Sequence, residues 1–154
     1  MKVDLTSSNP ALESIFSNPN QIITLDANFL IPPDRSKHAK ISFDFEVFKR
    51  IWLDPIFEAF PNLAIHEAVY DEFNSTSVKL YVDTNINAIP TKLLVHMDSS
   101  LTPEEQMLRN TIEGKIYPLT KYDPMLDNKD DRGEVKSLSY IAAFVKRKVD
   151  NRLR

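Results

Sequence analysis

Short apolar runs alternate along this chain with segments of helical periodicity, and this alternation limits the possible folds more than any other feature. Residues 21–25 and 63–65 are compact apolar runs, typical of buried strands. Helical spacing of apolar residues follows over 44–53, 55–60, 67–73, 103–113 and 133–145. Strands separated by helices pair in parallel. The sequence therefore predicts an α/β domain with three layers, α/β/α, around a mainly parallel central sheet.

Several local signals set the expected element boundaries. Ser42 or Asp44 is the candidate cap of a first helix, and Asp54 is the candidate cap of a second. Glu72 is placed on a later helix. The alternation over 77–82 predicts a further strand. Thr102 caps a helix that we expect to stop at Gly114. The last helix should bury one apolar face, formed by Val135, Leu138, Ile141, Ala142 and Val145.

The composition excludes several classes of protein. The chain has 154 residues, which suits a single domain, and no apolar run approaches the roughly 18 residues of a membrane helix. It has no cysteine, so disulfides and thiolate metal sites are impossible and a reducing cytoplasm is the expected location. With only two glycines, it cannot contain a glycine-rich nucleotide-binding loop or a nucleophile elbow.

Acidic residues stand where predicted strands or loops meet helices. Asp26 ends the first apolar run, Glu72 follows the second, and Asp131 and Glu134 open the last helix. Ligands of open α/β sheets bind beyond the carboxyl ends of the strands, so these acids could converge on one crevice. Taken singly, each has a simpler explanation: Asp26 as a helix cap or turn residue, the others as solvated carboxylates.

Carboxylates gathered in a crevice raise one another's pKa unless a cation neutralises them. Oxygen ligands select hard ions such as Mg²⁺ or Mn²⁺, which can activate water and shield a phosphodiester during hydrolysis. The acidic set therefore predicts a metal site of the kind that nucleases use.

Three segments together resemble the PIN-domain ribonucleases, a family within the PIN-like nuclease superfamily. They are IITLDANFL at 22–30, LAIHEAVYDEF at 63–73 and DRGEVKSLSYIAA at 131–143. The resemblance implies a metal-dependent ribonuclease that cleaves RNA, with Asp26, Glu72 and Glu134 as metal ligands. Asp131 would share or support that role, and Asn28 would orient Asp26. The implied cofactor is Mg²⁺ or Mn²⁺.

The resemblance also sets the expected domain organisation. Residues 1–20 would be an N-terminal extension, 21–150 the PIN-like domain with an atypical insert at 74–120, and 151–154 a basic tail. Because a helix at this point of an α/β domain ordinarily leads into another buried strand, we expect the domain to be truncated before its last strand.

The sequence leaves several alternative roles open, both for single residues and for the protein. The basic residues Lys146, Arg147 and Lys148 are candidate RNA contacts, or a solvated helix end that complements the helix dipole. His66 is more easily a strand-end or cap residue than a metal ligand. The chain could instead be a non-catalytic PIN-like RNA- or protein-binding module. A homodimer and an antitoxin-type protein partner are further possibilities, whereas no membrane association is expected.

Overall fold

The structure, a computed structural model, describes residues 18, 21–31, 44–126 and 128–152, the stretch 146–152 without its side chains. The parts of the chain outside the described residues include most of the predicted N-terminal extension, residues 32–43, and the last two residues of the predicted basic tail.

Three parallel strands form the sheet: β1 (Ile23–Thr24), β2 (Leu63–His66) and β3 (Leu93–His96), in the order β1-β2-β3. In the register, Leu63 of the central strand pairs with Ile23 on one side and with Leu93 on the other. The helices are α1 (Ala27–Leu30), α2 (Phe45–Phe48), α3 (Asp54–Ala59), α4 (Glu67–Tyr70), α5 (Thr76–Ile86), α6 (Pro103–Ile116) and α7 (Arg132–Arg152). The α/β class and the parallel sheet are therefore as predicted.

Helices cover both faces of this sheet. All four residues of β2 are buried, as expected for a central strand with packing on each side. On one face, Leu63 and Ile65 belong to the main hydrophobic core, together with Phe57 of α3 and Val82 of α5. On the other face, the side chain of His66 contacts Tyr140 of α7, with 5.5 Å between ring centroids.

The two helices predicted over 44–60 form one continuous helical segment. A π-helical turn, Lys49–Leu53, joins α2 directly to α3. Asp44, one of the two candidate caps, caps the start, because its carboxylate accepts a hydrogen bond from the backbone N–H of Glu46. Ser42, the other candidate, lies outside the described residues. The prediction that Asp54 is a cap was wrong: its backbone is helical, and its carboxylate accepts hydrogen bonds from Lys49 and from Tyr81.

The strand predicted over 77–82 is a helix, α5. Its buried side chains are Val78, Tyr81, Val82 and Asn85, a spacing that places them on one helical face. The β-branched residues and the tyrosine favour a strand locally, but packing of this face into the core decides the structure.

The last two long helices depart from prediction at specific points. Thr102 and Glu105 form a capping box at the start of α6, but the helix continues through Gly114 to Ile116. In α7 the buried side chains include Val135, Ser139 and Ala143, three positions at intervals of four residues. Of the predicted apolar face, Val135 is buried and Ile141 is partly buried, but Leu138 and Val145 are 55% and 50% exposed and Ala142 is exposed, so the prediction was right only in part.

Candidate functional site

An open cleft of about 670 Å³ lies where the start of α7 meets the turn that follows α4. Its lining is almost entirely charged or polar and consists of Asp71, Glu72, Asn74, Lys129, Asp130, Asp131, Arg132 and Glu134. Three of the four predicted acidic site residues therefore line one cleft, and Asp26 is the one outside this lining.

Glu72 is held at the cleft by the backbone of α7. It lies in the turn after α4 rather than on a helix, which corrects the sequence-based expectation. Its Oε1 accepts a hydrogen bond of 2.8 Å from the backbone N–H of Gly133. A Cβ atom added at Gly133 would lie 2.3 Å from that oxygen, so only glycine permits this approach.

Electrostatic interactions link Glu72 to two other predicted acids. Burial raises the pKa of Glu72, and the negative charges of Glu134 and Asp26 raise it further. The hydrogen bond from Gly133 and the positive charge of Arg132 act in the opposite direction but do not cancel the increase. The charges of Asp26 and Glu134 therefore both act on Glu72, at a cost to its ionised state.

Asp26 lies just beyond the carboxyl end of β1 and caps α1. Its Oδ1 accepts a hydrogen bond of 2.7 Å from the backbone N–H of Ala27. Its Oδ2 accepts one of 3.1 Å from the side-chain amide of Asn28, the contact required if Asn28 orients this carboxylate. The simpler role of a helix cap is therefore present, and the same carboxylate also acts electrostatically on Glu72.

Asp131 and Glu134 stand at the entry to α7. Asp131 has a positive φ of 60°, and its Oδ2 accepts a hydrogen bond of 3.0 Å from the backbone N–H of Lys121. Its backbone carbonyl accepts the hydrogen bond from Val135 that begins the helix. Asp131 therefore has a structural role in the loop as well as a place in the cleft. Glu134, in the first helical turn, is half-buried.

The predicted RNA contacts Lys146, Arg147 and Lys148 belong to α7, but their side chains lie outside the described part of the structure. Their role as RNA contacts stays a prediction.

A second cluster of metal-ligating residue types, His66, Glu67 and Asp98, lies at the carboxyl ends of β2 and β3. Their ligand atoms are within 4.8 Å of one another. However, His66 Nδ1 accepts a hydrogen bond from the backbone N–H of Ala68, so in neutral His66 the ring proton resides on Nε2. Nε2 then donates to Oδ1 of Asp98, at 3.2 Å. No lone pair of neutral His66 is left for a metal.

Asp98 already has a cationic partner within the protein. Arg109 of α6 bonds its other carboxylate oxygen, and the backbone N–H of Asp98 donates to Glu67 Oε1 at 2.8 Å. Burial raises the pKa of Asp98, but hydrogen bonds from His66 and Arg109, and then the positive charge of Arg109, outweigh that effect and lower it overall. We therefore interpret this cluster as a structural network, one that sequence reasoning missed because Asp98 is distant in the chain from His66.

Arg109 also pairs with Glu113 at 2.8 Å, and Glu113 pairs with Lys136 of α7 at 2.7 Å. These contacts carry the network from the sheet through α6 to the helix that holds Gly133 and Glu134. The network therefore supports the position of α7 at the cleft.

No protein-family model, curated protein or solved structure matches this chain. Among the described residues, no helix is both long enough and apolar enough to cross a membrane.

Proposed function

We propose that this protein is a PIN-like, metal-dependent ribonuclease that hydrolyses phosphodiester bonds in RNA at the cleft beside α7. One observation carries the proposal: Glu72 is fixed against Gly133 while burial, and then the charges of Glu134 and Asp26, raise its pKa. A partly buried carboxylate near other carboxylates is costly to ionise, and a bound cation removes that cost.

The residues fit a hard divalent ion. The candidate ligands are carboxylate oxygens, which Mg²⁺ and Mn²⁺ prefer, and the cleft that most of them line is open to solvent. Asp26, Glu72 and Glu134 would hold the metal, with Asp131 in support. When bound, the metal would supply Lewis-acid activation and charge neutralisation at a phosphodiester.

The protein's own contribution would be to position the ligands in advance. Gly133 fixes one oxygen of Glu72, and the amide of Asn28 together with the backbone of Ala27 fixes both oxygens of Asp26. Carboxylates held by hydrogen bonds lose little freedom when they bind an ion. The sequence resemblance assigns the ligand role to the same acids.

Calorimetric titration of Mn²⁺ tests the proposal. The unmodified chain should bind Mn²⁺, and Asp26→Asn should weaken binding at least about tenfold, because one ligand charge is lost. Asp130→Asn is the matched control: it removes the same charge from an exposed residue of the cleft lining that is outside the proposed ligand set. Its effect should be small by comparison.

Cleavage of a labelled single-stranded RNA in Mn²⁺ provides the second readout. Asp26→Asn should abolish cleavage, whereas Asp130→Asn should retain it. If the unmodified chain neither binds Mn²⁺ nor cleaves RNA, the ribonuclease proposal is wrong, and a non-catalytic RNA- or protein-binding module becomes the better interpretation.

A further inference from the structure

Two cationic side chains, Lys129 and Arg132, stand among the acids of the cleft. Lys129 belongs to an exposed loop, whereas Arg132 is the first residue of α7 and has a half-buried side chain, 28% exposed. The positive charge of Arg132 also acts on Glu72. Arg132 is therefore the cation that the structure associates most closely with the proposed metal ligands.

The ion pair that Arg132 makes within the protein is weak. Its NH1 atom lies 3.4 Å from Oδ2 of Asp71, and the Asp71 side chain is 61% exposed. An exposed pair with one long contact contributes little, and a guanidinium group binds a phosphate better, through two parallel N–H···O bonds. A phosphate group entering the cleft can therefore take Arg132 from Asp71 at little cost.

We propose that Arg132 binds a phosphate group of the RNA substrate beside the Asp26, Glu72 and Glu134 cluster, and that Asp71 holds its guanidinium group when RNA is absent. This inference rests on the proposed ribonuclease function, because it assigns the substrate's phosphate to the same cleft. A cleft with carboxylates alone would repel RNA. An arginine at the first turn of α7 supplies attraction for the phosphate on one side of the metal ligands.

The two proposals separate in a paired experiment on the full chain. Mn²⁺ affinity is measured by calorimetry, and affinity for a labelled single-stranded RNA by fluorescence anisotropy in EDTA and in Mn²⁺, over a range of salt concentrations. The variants are Arg132→Gln, Arg132→Lys and Asp71→Asn. Arg50→Gln is the control, since Arg50 is exposed on the π-helical turn and does not line the cleft.

We expect opposite effects from Arg132→Gln on the two ligands. RNA binding should weaken roughly tenfold and the salt dependence should become shallower by about one phosphate contact. Mn²⁺ binding should stay as tight or become tighter, because a repelling positive charge is gone. Arg132→Lys should restore RNA affinity in part, Asp71→Asn should leave it equal or tighter, and Arg50→Gln should change neither affinity.

Unchanged RNA affinity in Arg132→Gln, or equal losses in Arg132→Gln and Arg50→Gln, would overturn the assignment even if Mn²⁺ binding and cleavage persist. Loss of Mn²⁺ binding in Arg132→Gln would also overturn it, because that would reveal a structural role. If the unmodified chain binds no Mn²⁺ but Arg132→Gln alone weakens RNA binding, the phosphate contact stands and the nuclease proposal fails.

Discussion

The backbone of Gly133 lies so close to the carboxylate of Glu72 that a single methyl group would change the site. Gly133→Ala would place Cβ at 2.3 Å from Oε1 and 3.1 Å from a methyl carbon of Val69. We expect the Glu72 carboxylate to be displaced, Mn²⁺ affinity to fall at least about tenfold, and the free energy of unfolding to fall by about 1–3 kcal/mol. Calorimetry and urea unfolding measure the two effects.

Gly114→Ala is the natural control, since these two are the only glycines in the chain. Gly114 lies within α6, and nothing would be within 4 Å of an added Cβ. Replacement of an exposed helical glycine by alanine should stabilise the protein by about 0.5–1 kcal/mol. Mn²⁺ affinity should be unchanged. Equal metal affinities for the two alanine variants would contradict the role given to Gly133.

Glu72 itself should be a residue whose ionisation destabilises the metal-free protein. A pKa raised in the folded state means that the folded protein binds the proton more tightly, so stability falls as pH rises above about 4.3 and through the folded pKa. Glu72→Gln keeps an acceptor for Gly133 and removes the charge.

At pH 7 in EDTA, Glu72→Gln should therefore be more stable than the unmodified chain, by about 1 kcal/mol or less because the site is partly solvated. At pH 4 the difference should be much smaller. Urea unfolding at both pH values measures this. A variant that is less stable at pH 7 would show that Glu72 has a mainly structural role.

The sequence indicated Asp26 and Glu72 as candidate site residues, but it did not show which contacts fix their carboxylates. Asp26 is readable because it directly follows an apolar run, and its bond to Asn28 is local. The contact between Glu72 and Gly133 joins residues that are 61 positions apart, and no local pattern encodes it. The position of Gly133 was the one available signal of this contact. The chain has only two glycines, and glycine is unfavourable within a helix, so a glycine in the first turn of α7 indicates a close approach of another group.

At the scale of elements, Arg109 links α6 to the sheet and to α7. It bonds Asp98, which follows β3, and Glu113, which in turn bonds Lys136 of α7. Its side chain is only 9% exposed, so removal of the guanidinium would leave the partly buried Asp98 without its arginine partner and Glu113 with Lys136 alone. Such a loss costs much more than breaking a surface ion pair.

We expect Arg109→Met to lower the free energy of unfolding by about 2–3 kcal/mol, because methionine retains apolar volume but no charge. Lys115→Met, on an exposed position of the same helix, should change it by less than about 0.5 kcal/mol. Chemical denaturation compares the two. Similar small effects would mean that Arg109 is not a necessary link.

Element type was predictable where several signals agreed and not where packing decided. Thr102, Pro103 and Glu105 give a capping box that is legible without any tertiary context. The α5 segment contains Val78 and Val82, whose local preference is for strands, and only burial of one helical face in the core reverses it. In α7 the small residues Ser139 and Ala143 are fully buried, and a search for large apolar side chains overlooks both.

At the scale of the whole molecule, the two faces of the sheet differ in chemistry. One face packs against the apolar core, whereas the face under α7 carries His66 and His96 beside Tyr140. The ring of His96 stacks on Tyr140 at a centroid distance of 4.7 Å, and its Nε2 is 3.2 Å from the hydroxyl of Thr24. Burial lowers the pKa of His96. Acid should therefore destabilise the layer between the sheet and α7 through protonation of His96.

The sign of this effect follows from proton binding. The unfolded chain takes up a proton at His96 near pH 6.5, whereas the folded protein does so only at lower pH. The contribution of His96 to stability should therefore fall, by up to about 1 kcal/mol, as pH decreases from 7.5 to 5, in the opposite direction to the contribution of Glu72. Asp98 contributes no change in this range, because its pKa is lowered and its stabilisation is lost only below about pH 3.9.

His96→Gln isolates the contribution of His96, since Gln can still bond Thr24 but does not titrate. Glu72 titrates equally in both proteins, so the difference between their pH profiles cancels its effect. We expect the free energy of unfolding, measured with urea at pH 7.5 and 5, to decrease less for the variant than for the unmodified chain. In the unmodified chain, an NMR titration of the His96 ring should have a midpoint below 6.5. Parallel profiles, or a midpoint above 6.5, would show that protonation of His96 is not what makes the layer under α7 acid-sensitive.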